Sequence, residues 1–321
     1  MSKLKRLIAI SLVATMTFSL VGCGNNKSKV YKVGICQLVE HEALDQATKG
    51  FKEALTKKLG KDKIEFDEQN AQGETATCST IVNSFVSSNV DLILANATAP
   101  LQAASNATVD IPILGTSVTD YASALSLKNF KDTTGKNVSG TSDLAPIDEQ
   151  ADMLVELFPK AKKVGLLYCS AEPNSKFQVD LIRDYLKKKK VECKDFSFVD
   201  SNDIASVVNG AVKYSDVIYV PTDNTAASNA SVINNIAKEA KVPIIAGEEG
   251  ICKGCGVATL SISYYDIGYK TGEMAYEVLV NKKDISKMKI EYAPAVNKKY
   301  NKKMTDLLKI KVPEGYEEIG E

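Results

Sequence analysis

Hydroxyl, amide and carboxylate side chains follow nearly every short apolar run in this 321-residue sequence. Carboxylates attract a positive group, whereas hydroxyls and helix N-termini receive a negative one. The short segments that carry these side chains contain no Lys or Arg, so together they indicate a site for a zwitterion. The candidate ligand-binding residues are Gln37, Glu40, His41, Thr98, Thr116, Ser117, Asp143, Glu172, Asn174, Ser175, Asp223, Asn224, Glu248 and Glu249.

Other interpretations of these residues stay open. Ser, Thr, Asn and Asp also cap helix N-termini, and for any single one of them capping is the more common role. Paired carboxylates can act as an acid and a base in an exported enzyme, with Glu40 or Glu172 as the acid and Asp223 as the base. No nucleophile motif such as G-x-S-x-G accompanies them, which favours a binding protein. The single histidine, His41, is either a ligand contact or a surface or first-turn helix residue.

Six of the seven cysteines lie beyond the N-terminal region. Cys36 and Cys169 fall within apolar runs, which is typical of small buried residues, and we expect most of the six to be free thiols. Cys252 and Cys255 have C-x-x-C spacing, but a zinc site needs four ligands and the chain has neither a second such motif nor a second histidine. We therefore expect an incidental pair of loop cysteines, with no metal and no cofactor.

The elements that position these residues alternate regularly along the chain. An apolar run at residues 33–36 predicts a strand, and apolar residues at helical spacing over 44–59 predict the helix that follows it. The same unit recurs several times, and it starts again at residues 164–168 after a break near Gly140. The strands are apolar on both faces, as in parallel sheets covered by helices. The fold class is therefore α/β, with two similar Rossmann-like lobes that face each other across a cleft.

The first residues of the chain indicate export. A basic segment with Lys3, Lys5 and Arg6 precedes an apolar run of about 14 residues, which is shorter than the roughly 20 that a membrane span needs. The run ends in Leu20-Val21-Gly22-Cys23, which resembles the lipobox of lipoprotein signal peptides. We expect a signal peptide over residues 1–22, lipidation of Cys23, and a polar lipidated tether over residues 23–31.

The charge balance argues against nucleic acid as a partner. The chain has 40 basic and 40 acidic residues, and removal of the three basic residues of the signal peptide leaves 37 against 40. No basic stripe stands out, whereas phosphate backbones require concentrated Lys and Arg.

Several separated motifs carry a resemblance that covers almost the whole mature chain. They resemble, in the same order, the ABC-transporter substrate-binding family that includes tryptophan/tyrosine-binding lipoproteins. The motifs are Val33-Gly34-Ile35-Cys36-Gln37-Leu38-Val39-Glu40-His41, Thr116-Ser117-Val118-Thr119-Asp120, Glu172-Pro173-Asn174-Ser175, Pro221-Thr222-Asp223-Asn224 and Gly268-Tyr269-Lys270-Thr271-Gly272.

The resemblance implies a type I periplasmic-binding-protein fold with three crossovers between the lobes. It implies an N-terminal lobe of residues 32–139 and 262–286 and a C-terminal lobe of residues 140–261 and 287–321. The residues implied to hold a ligand carboxylate are Thr98, Thr116 and Ser117. Those implied to bind an ammonium group are Asp223 and either Glu248 or Glu249. Those implied to line the mouth are Gln37, Glu40 and His41 from the first lobe, and Glu172, Asn174 and Ser175 from the second.

The function implied is that of a lipid-anchored binding protein on the outer face of the cytoplasmic membrane. It would deliver a small amino-acid-like ligand, aromatic or apolar, to an ABC permease. The alternatives are a sugar- or nucleoside-binding relative and a ligand sensor. Sugar sites usually hold the ring between aromatic side chains, and the sequence contains no tryptophan.

Overall fold

The computed structural model of the protein describes residues 29–293 and 295–320. The predicted signal peptide, the lipidation site Cys23 and the tether up to residue 28 lie outside these residues. Across the two described ranges, no helix is both long enough and apolar enough to cross a membrane.

Six parallel strands form the sheet of the first lobe, in the order β11-β5-β4-β3-β1-β2. The inner strands β3 and β4 are buried along their whole length, whereas the edge strand β2 is partly exposed. The strands are β1 (Tyr31–Gln37), β2 (Ile64–Asn70), β3 (Leu92–Asn96), β4 (Ile113–Val118), β5 (Val138–Ser142) and β11 (Glu291–Tyr292). The helices of this lobe are α1 (Glu42–Leu59), α2 (Thr75–Ser87), α3 (Thr98–Ala107), α4 (Tyr121–Ala124) and α11 (Tyr264–Leu279).

Seven strands form the sheet of the second lobe, in the order β13-β12-β10-β9-β8-β6-β7. All neighbours are parallel except β10 and β12. The strands are β6 (Lys163–Cys169), β7 (Glu192–Phe198), β8 (Val217–Val220), β9 (Ile244–Ala246), β10 (Ala258–Ser261), β12 (Asn297–Tyr300) and β13 (Glu317–Glu318). The helices are α5 (Ile147–Leu157), α6 (Pro173–Lys188), α7 (Ile204–Tyr214), α8 (Asn224–Ser228), α9 (Ala230–Ala240), α10 (Glu249–Cys255) and α12 (Lys302–Leu308).

The chain passes between the two sheets three times: between β5 and β6, between β10 and α11, and between β11 and β12. The predicted α/β class with two parallel-sheet lobes is confirmed. Strand pairing moves two of the expected lobe limits, because β5 continues to Ser142 and β11 pairs with β5 in the first sheet. Gly140 is therefore not the break between the lobes. It lies within β5, where an added Cβ would sit 2.0 Å from the Gly115 carbonyl oxygen of β4.

Close contact between α1 and α11 fixes the second crossover segment on the first lobe. A Cβ at Gly268 would lie 2.0 Å from the carbonyl oxygen of Ala47, and one at Gly50 would lie 2.2 Å from that of Tyr265. Only glycine allows two helix backbones to approach this closely. The start of α11, at Tyr264, is thereby held beside the start of α1.

The six cysteines of the described residues are free thiols. Cys252 and Cys255 lie on α10 and are buried, so the expectation of a loop pair is wrong. Burial raises the pKa of both thiols, which keeps them protonated and unreactive.

Candidate functional site

A cavity lies between the two lobes, at the carboxyl ends of their strands. Helices α1, α6, α8 and α10 begin next to it, after His41, Glu172, Asp223 and Glu248 respectively. Four positive helix ends therefore converge on a cavity that has no Lys or Arg among its lining residues. The lining residues are His41, Leu44, Ser117, Asp143, Asn174, Thr222, Asp223, Asn224, Ala227, Glu248 and Tyr264.

Ser117 reaches the cavity because β4 is irregular near its end. The register between β4 and β5 shifts between Gly115 and Val118, and Ser117 has a φ of 55°. A positive φ is unusual for serine, and such strained residues cluster at functional sites. The Ser117 Oγ is buried and has no hydrogen-bond partner.

Asp143 lies on the first crossover and is 3% exposed. Its Oδ2 accepts a hydrogen bond of 2.9 Å from the hydroxyl of Tyr264, which begins α11. Its Oδ1 is buried and has no partner. Burial raises the pKa of Asp143, and the hydroxyls of Thr119 and Tyr264 counteract only part of this rise. The site thus holds a carboxyl group whose ionised form lacks a cationic partner.

His41 joins the two lobes. Its Nε2 lies 3.2 Å from the Oδ1 of Asn224 on the second lobe. The side chain does not cap α1, although His41 occupies the N-cap position. The Nδ1 is buried and unpartnered, and burial lowers the pKa of the imidazole. The structure therefore favours a cavity contact over the surface or first-turn alternative.

Asp223 and Glu248 line the cavity but also cap helices. The two oxygens of Asp223 accept hydrogen bonds from the backbone N–H groups of Ala226 (2.7 Å) and Cys169 (2.6 Å). Glu248 accepts from the backbone N–H groups of Gly250 and Ile251. Burial raises the pKa of Glu248 to about 7, and burial with the charge of Glu172 raises that of Asp223. The capping interpretation therefore holds for both residues, whose carboxylate oxygens already accept backbone donors.

Glu172 lies outside this cavity, on the groove that adjoins it, and organises the start of α8. Its Oε2 accepts from the backbone N–H of Asn224 (3.0 Å), from the Asn224 side chain (2.7 Å) and from the Asn174 side chain (3.1 Å). Its Oε1 accepts from the backbone N–H and the hydroxyl of Thr225, both at 2.8 Å. Five donors leave this carboxylate as a support for Asn174 and Asn224, which do line the cavity.

The remaining predicted residues lie outside the cavity lining. Gln37 is buried in a network with Thr48, Asp45 and Asn96 beneath it. Thr116 is buried with its Oγ1 3.2 Å from that of Thr141. Both side chains are therefore used within the first lobe.

Four more of the predicted residues also lie outside the cavity lining. Glu40 is exposed, and Glu249 forms a 2.6 Å ion pair with Lys299. Thr98 is a buried first residue of α3, and Ser175 is buried within the first turn of α6.

Four lining residues were not among the predicted ones: Leu44, Thr222, Ala227 and Tyr264. Thr222 directly precedes Asp223 and follows strand β8. This position could have identified it as a residue that lines the cavity. Tyr264 reaches the cavity only because α11 packs on α1, so its local sequence carries no such signal. Leu44 and Ala227 look like ordinary apolar helix residues.

A wider groove adjoins the cavity at its outer side. Its volume is about 460 Å³, and both lobes contribute to its walls, including Leu38, Val39, Pro173 and Val199. The inner cavity has a volume of only about 10 Å³, which is near the space needed for one water molecule. The lobes are therefore in close contact in this structure, and access to the inner cavity requires them to separate.

Comparison with known proteins gives consistent matches over the whole described region. The family model described as ABC transporter substrate binding protein matches residues 32–317. A tyrosine-binding protein of Clostridioides difficile (strain R20291) is 41% identical over 298 residues, which cover 88% of this chain and 86% of that protein.

Solved structures are also similar to the chain, and two of them bear on the ligand and on the arrangement of the lobes. One is an ABC domain in complex with L-Trp from Streptococcus pneumoniae, with 30% identity, a TM-score of 0.86, and coverage of 91% of this chain and 100% of that one. The other is the ligand-free, open structure of a substrate-binding protein with adhesive properties from Clostridium difficile. It has 39% identity and a TM-score of 0.69, and the match covers 90% of this chain and 99% of that one.

Proposed function

Because this chain belongs to the ABC transporter substrate-binding protein family, we propose that it captures an amino acid with an aromatic or apolar side chain and delivers it to a membrane permease. The expected family and its type I periplasmic-binding-protein fold are confirmed. Its relatives are substrate-binding proteins, which fits a non-enzymatic role. We place it on the outer face of the cytoplasmic membrane, held by a lipid on Cys23.

One observation carries the proposal. Three buried side-chain atoms that line the interlobe cavity have no hydrogen-bond partner: Ser117 Oγ, Asp143 Oδ1 and His41 Nδ1. Buried polar groups are nearly always paired, because leaving one unpaired costs about 1–3 kcal/mol. A hydroxyl, a carboxylate and an imidazole nitrogen on one small cavity are therefore suited to a polar ligand with groups of both signs.

We assign the ligand ammonium to Asp143. Its free oxygen can accept a charge-assisted hydrogen bond, whereas the oxygens of Asp223 and Glu248 already accept backbone donors. An ammonium would also stabilise the ionised form, which burial disfavours in the free protein. Asp223 and Glu248 would then act by shaping the cavity wall and adding negative potential. The sequence had indicated Asp223 and either Glu248 or Glu249 for the ammonium.

We assign the ligand carboxylate to Ser117 and the start of α1. Acidic residues cap the starts of α8 and α10, but the N-cap residue of α1, His41, makes no side-chain cap. The first N–H groups of this 18-residue helix therefore have no acceptor from the N-cap side chain and can donate to an anion, although Glu42 and Asp45 place negative charge in the same turn. The Ser117 hydroxyl supplies a donor on the same cavity.

The arrangement of the lobes also supports capture by closure. The chain is more similar in sequence to the ligand-free, open relative, yet its structure agrees better with the relative in complex with L-Trp. The lobes of this structure are therefore arranged more like those of the ligand-bound relative. In the proposed cycle, the lobes separate to admit the ligand and close on it.

A binding screen tests the ligand class. Thermal unfolding is measured with amino acids, sugars and nucleosides, and an amino acid at 100 times its Kd should stabilise the protein by about 2.7 kcal/mol. A raised Tm with a sugar or nucleoside, and with no amino acid, would contradict the proposal.

The anchor is tested separately. Cys23→Ser should move the protein from the membrane fraction to the medium or periplasm without changing its ligand affinity. Mass spectrometry that finds an unmodified Cys23 on membrane-extracted protein would contradict lipidation.

A further inference from the structure

The hydrogen bonds of Glu172 fix the orientation of the Asn224 side chain. A carboxylate only accepts, so the Asn224 atom that lies 2.7 Å from Glu172 Oε2 must be the NH₂ group. The backbone N–H of Asn224 donates to the same oxygen at 3.0 Å, which holds the residue in place. The amide oxygen of Asn224 therefore faces away from Glu172 and towards His41.

This orientation fixes the tautomer of His41 in turn. The Asn224 Oδ1 is an acceptor, so the His41 Nε2 at 3.2 Å must carry the proton. In the neutral imidazole only one nitrogen is protonated, and the Nδ1 is then an acceptor. Burial lowers the pKa of His41, in keeping with the neutral form. A chain of side chains from the second lobe thus sets the hydrogen-bonding character of an atom on the first.

The Nδ1 acceptor has no partner within the protein. The side chain of His41 does not cap α1, and the Nδ1 is shielded from solvent. A ligand that leaves this acceptor unpaired binds more weakly, because the desolvation of the Nδ1 is not compensated. A ligand that donates a hydrogen bond to the Nδ1 compensates that cost.

We propose, on the basis of the function proposed above, that His41 Nδ1 accepts a hydrogen bond from the side chain of the ligand. The preferred ligands are amino acids whose side chain carries an O–H or N–H donor. Within the aromatic class proposed above, these are the amino acids with a phenol or an indole. Phenylalanine, which has the same apolar body without the donor, binds more weakly. The ligand ammonium is not the donor, because the Asp143 carboxylate on the same cavity is the stronger acceptor for a cation.

The assignment also explains why the acceptor is built from both lobes. His41 and Asn224 belong to different lobes, so their contact, and with it the fixed tautomer, depends on the lobes being together. The inner cavity of about 10 Å³ must widen to admit the ligand while this contact is kept. Discrimination between side chains thus accompanies closure, and an open lobe pair would bind the shared amino-acid groups without it.

Calorimetric Kd values for tyrosine, tryptophan and phenylalanine test this inference in the wild type, His41→Phe and His41→Asn. The wild type should bind tyrosine or tryptophan at least about tenfold more tightly than phenylalanine. His41→Phe keeps a ring of similar size without the acceptor, and it also removes the Nε2 contact to Asn224. It should therefore weaken the binding of all three amino acids, and weaken tyrosine or tryptophan more than phenylalanine, so that the preference is lost. His41→Asn, which offers a carboxamide oxygen near the same position, should restore part of it. The donor ligand that loses more affinity in His41→Phe identifies phenol or indole as the group recognised.

Two results would overturn the inference alone. One is a wild type that binds phenylalanine as tightly as both donor ligands, and the other is an equal loss for all three ligands in His41→Phe, which would mean that His41 serves only to join the lobes. Failure of the wild type to bind any of the three amino acids would instead overturn the proposed function, and this inference with it.

Discussion

Substitution of Asp143 by Asn separates ligand recognition from stability. The two side chains have the same shape, and the Asn oxygen can keep the 2.9 Å bond from the Tyr264 hydroxyl. The NH₂ group then takes the place of the unpartnered Oδ1. A ligand ammonium would meet a donor where the wild type offers a carboxylate.

The expected loss of affinity follows from the interaction removed. A hydrogen bond to a charged group contributes about 1.5–3 kcal/mol, so the Kd should rise about ten- to a hundredfold. All amino acids should be affected alike, because the ammonium is common to them. This equal loss distinguishes Asp143 from His41, whose substitution should change the ratio between ligands.

In the ligand-free protein, Asp143→Asn should increase stability rather than reduce it. Burial raises the pKa of Asp143 above its usual 3.8, so the folded state binds this proton more tightly than the unfolded state does. The stability contributed by the protonated group is present below the unfolded pKa and is lost as the pH rises through the folded value. Asp143→Asn has no such titration, so it should match the wild type at low pH and exceed its stability above the raised pKa.

Calorimetry and denaturant unfolding at several pH values measure both effects. An ammonium beside Asp143 would lower its pKa, so ligand binding should release a proton where Asp143 is protonated in the free protein. Affinity should therefore increase as the pH rises towards the raised pKa of the free protein. Asp223→Asn is the matched control. It replaces one of the two oxygens that accept from the Ala226 and Cys169 N–H groups with an NH₂ donor. It should therefore cost about 1–3 kcal/mol of stability.

The assignment is refuted if Asp143→Asn binds amino acids within about twofold of the wild type, which is below 1 kcal/mol. If Asp223→Asn instead weakens binding strongly while the protein stays folded, the ligand ammonium binds at Asp223, as the sequence indicated.

Three further outcomes are expected. Gly268→Ala should lower the free energy of unfolding by about 1–3 kcal/mol in denaturant titrations, because the new Cβ would meet the Ala47 carbonyl oxygen. Gly320→Ala, where the new Cβ meets no atom, should leave the stability unchanged. Equal effects of the two substitutions would contradict close packing at Gly268. Thr116→Val should cost about 1 kcal/mol of stability through the lost bond to Thr141 but leave the calorimetric Kd unchanged, whereas weaker binding would return Thr116 to the site. Small-angle scattering should show a smaller radius of gyration with saturating amino acid, and an unchanged value would argue against closure.

The fold could be predicted because its signals are local. Apolar runs bounded by polar loop residues identify buried parallel strands, and 3.6-residue periodicity identifies the helices that cover them. The limits of the lobes were harder to predict. Gly140 resembles a break in the sequence, but its role is set by the backbone of β4 beside it, and the short β11 has too few residues to show a pattern.

The position of the interlobe cavity could be predicted better than the hydrogen bonds of the residues that line it. Residues that follow strands do gather between the lobes, because the carboxyl ends of parallel strands share one edge of each sheet. The sequence does not show which carboxylate oxygens accept hydrogen bonds from backbone N–H groups. Both oxygens of Asp223 do so, whereas one oxygen of Asp143 has no partner. Ser117 gains its free hydroxyl from a register shift between two strands, and Tyr264 reaches the cavity through packing of α11. Each of these depends on tertiary contacts.

The positions of the unpartnered atoms suggest how ligand binding and closure are linked. Asp143 and Tyr264 belong to two different crossovers, so their hydrogen bond lies where the lobes are joined. We expect it to persist when the lobes separate. The contact between His41 and Asn224 instead spans the cleft and requires closure. A ligand shifts a conformational equilibrium only by its differential affinity for the two states. In the proposed mechanism the ammonium contact to Asp143 therefore supplies affinity in both states, and the contact to His41 supplies the preference for the closed one. A ligand that lacks the side-chain donor would bind at the crossovers but hold the lobes together less firmly.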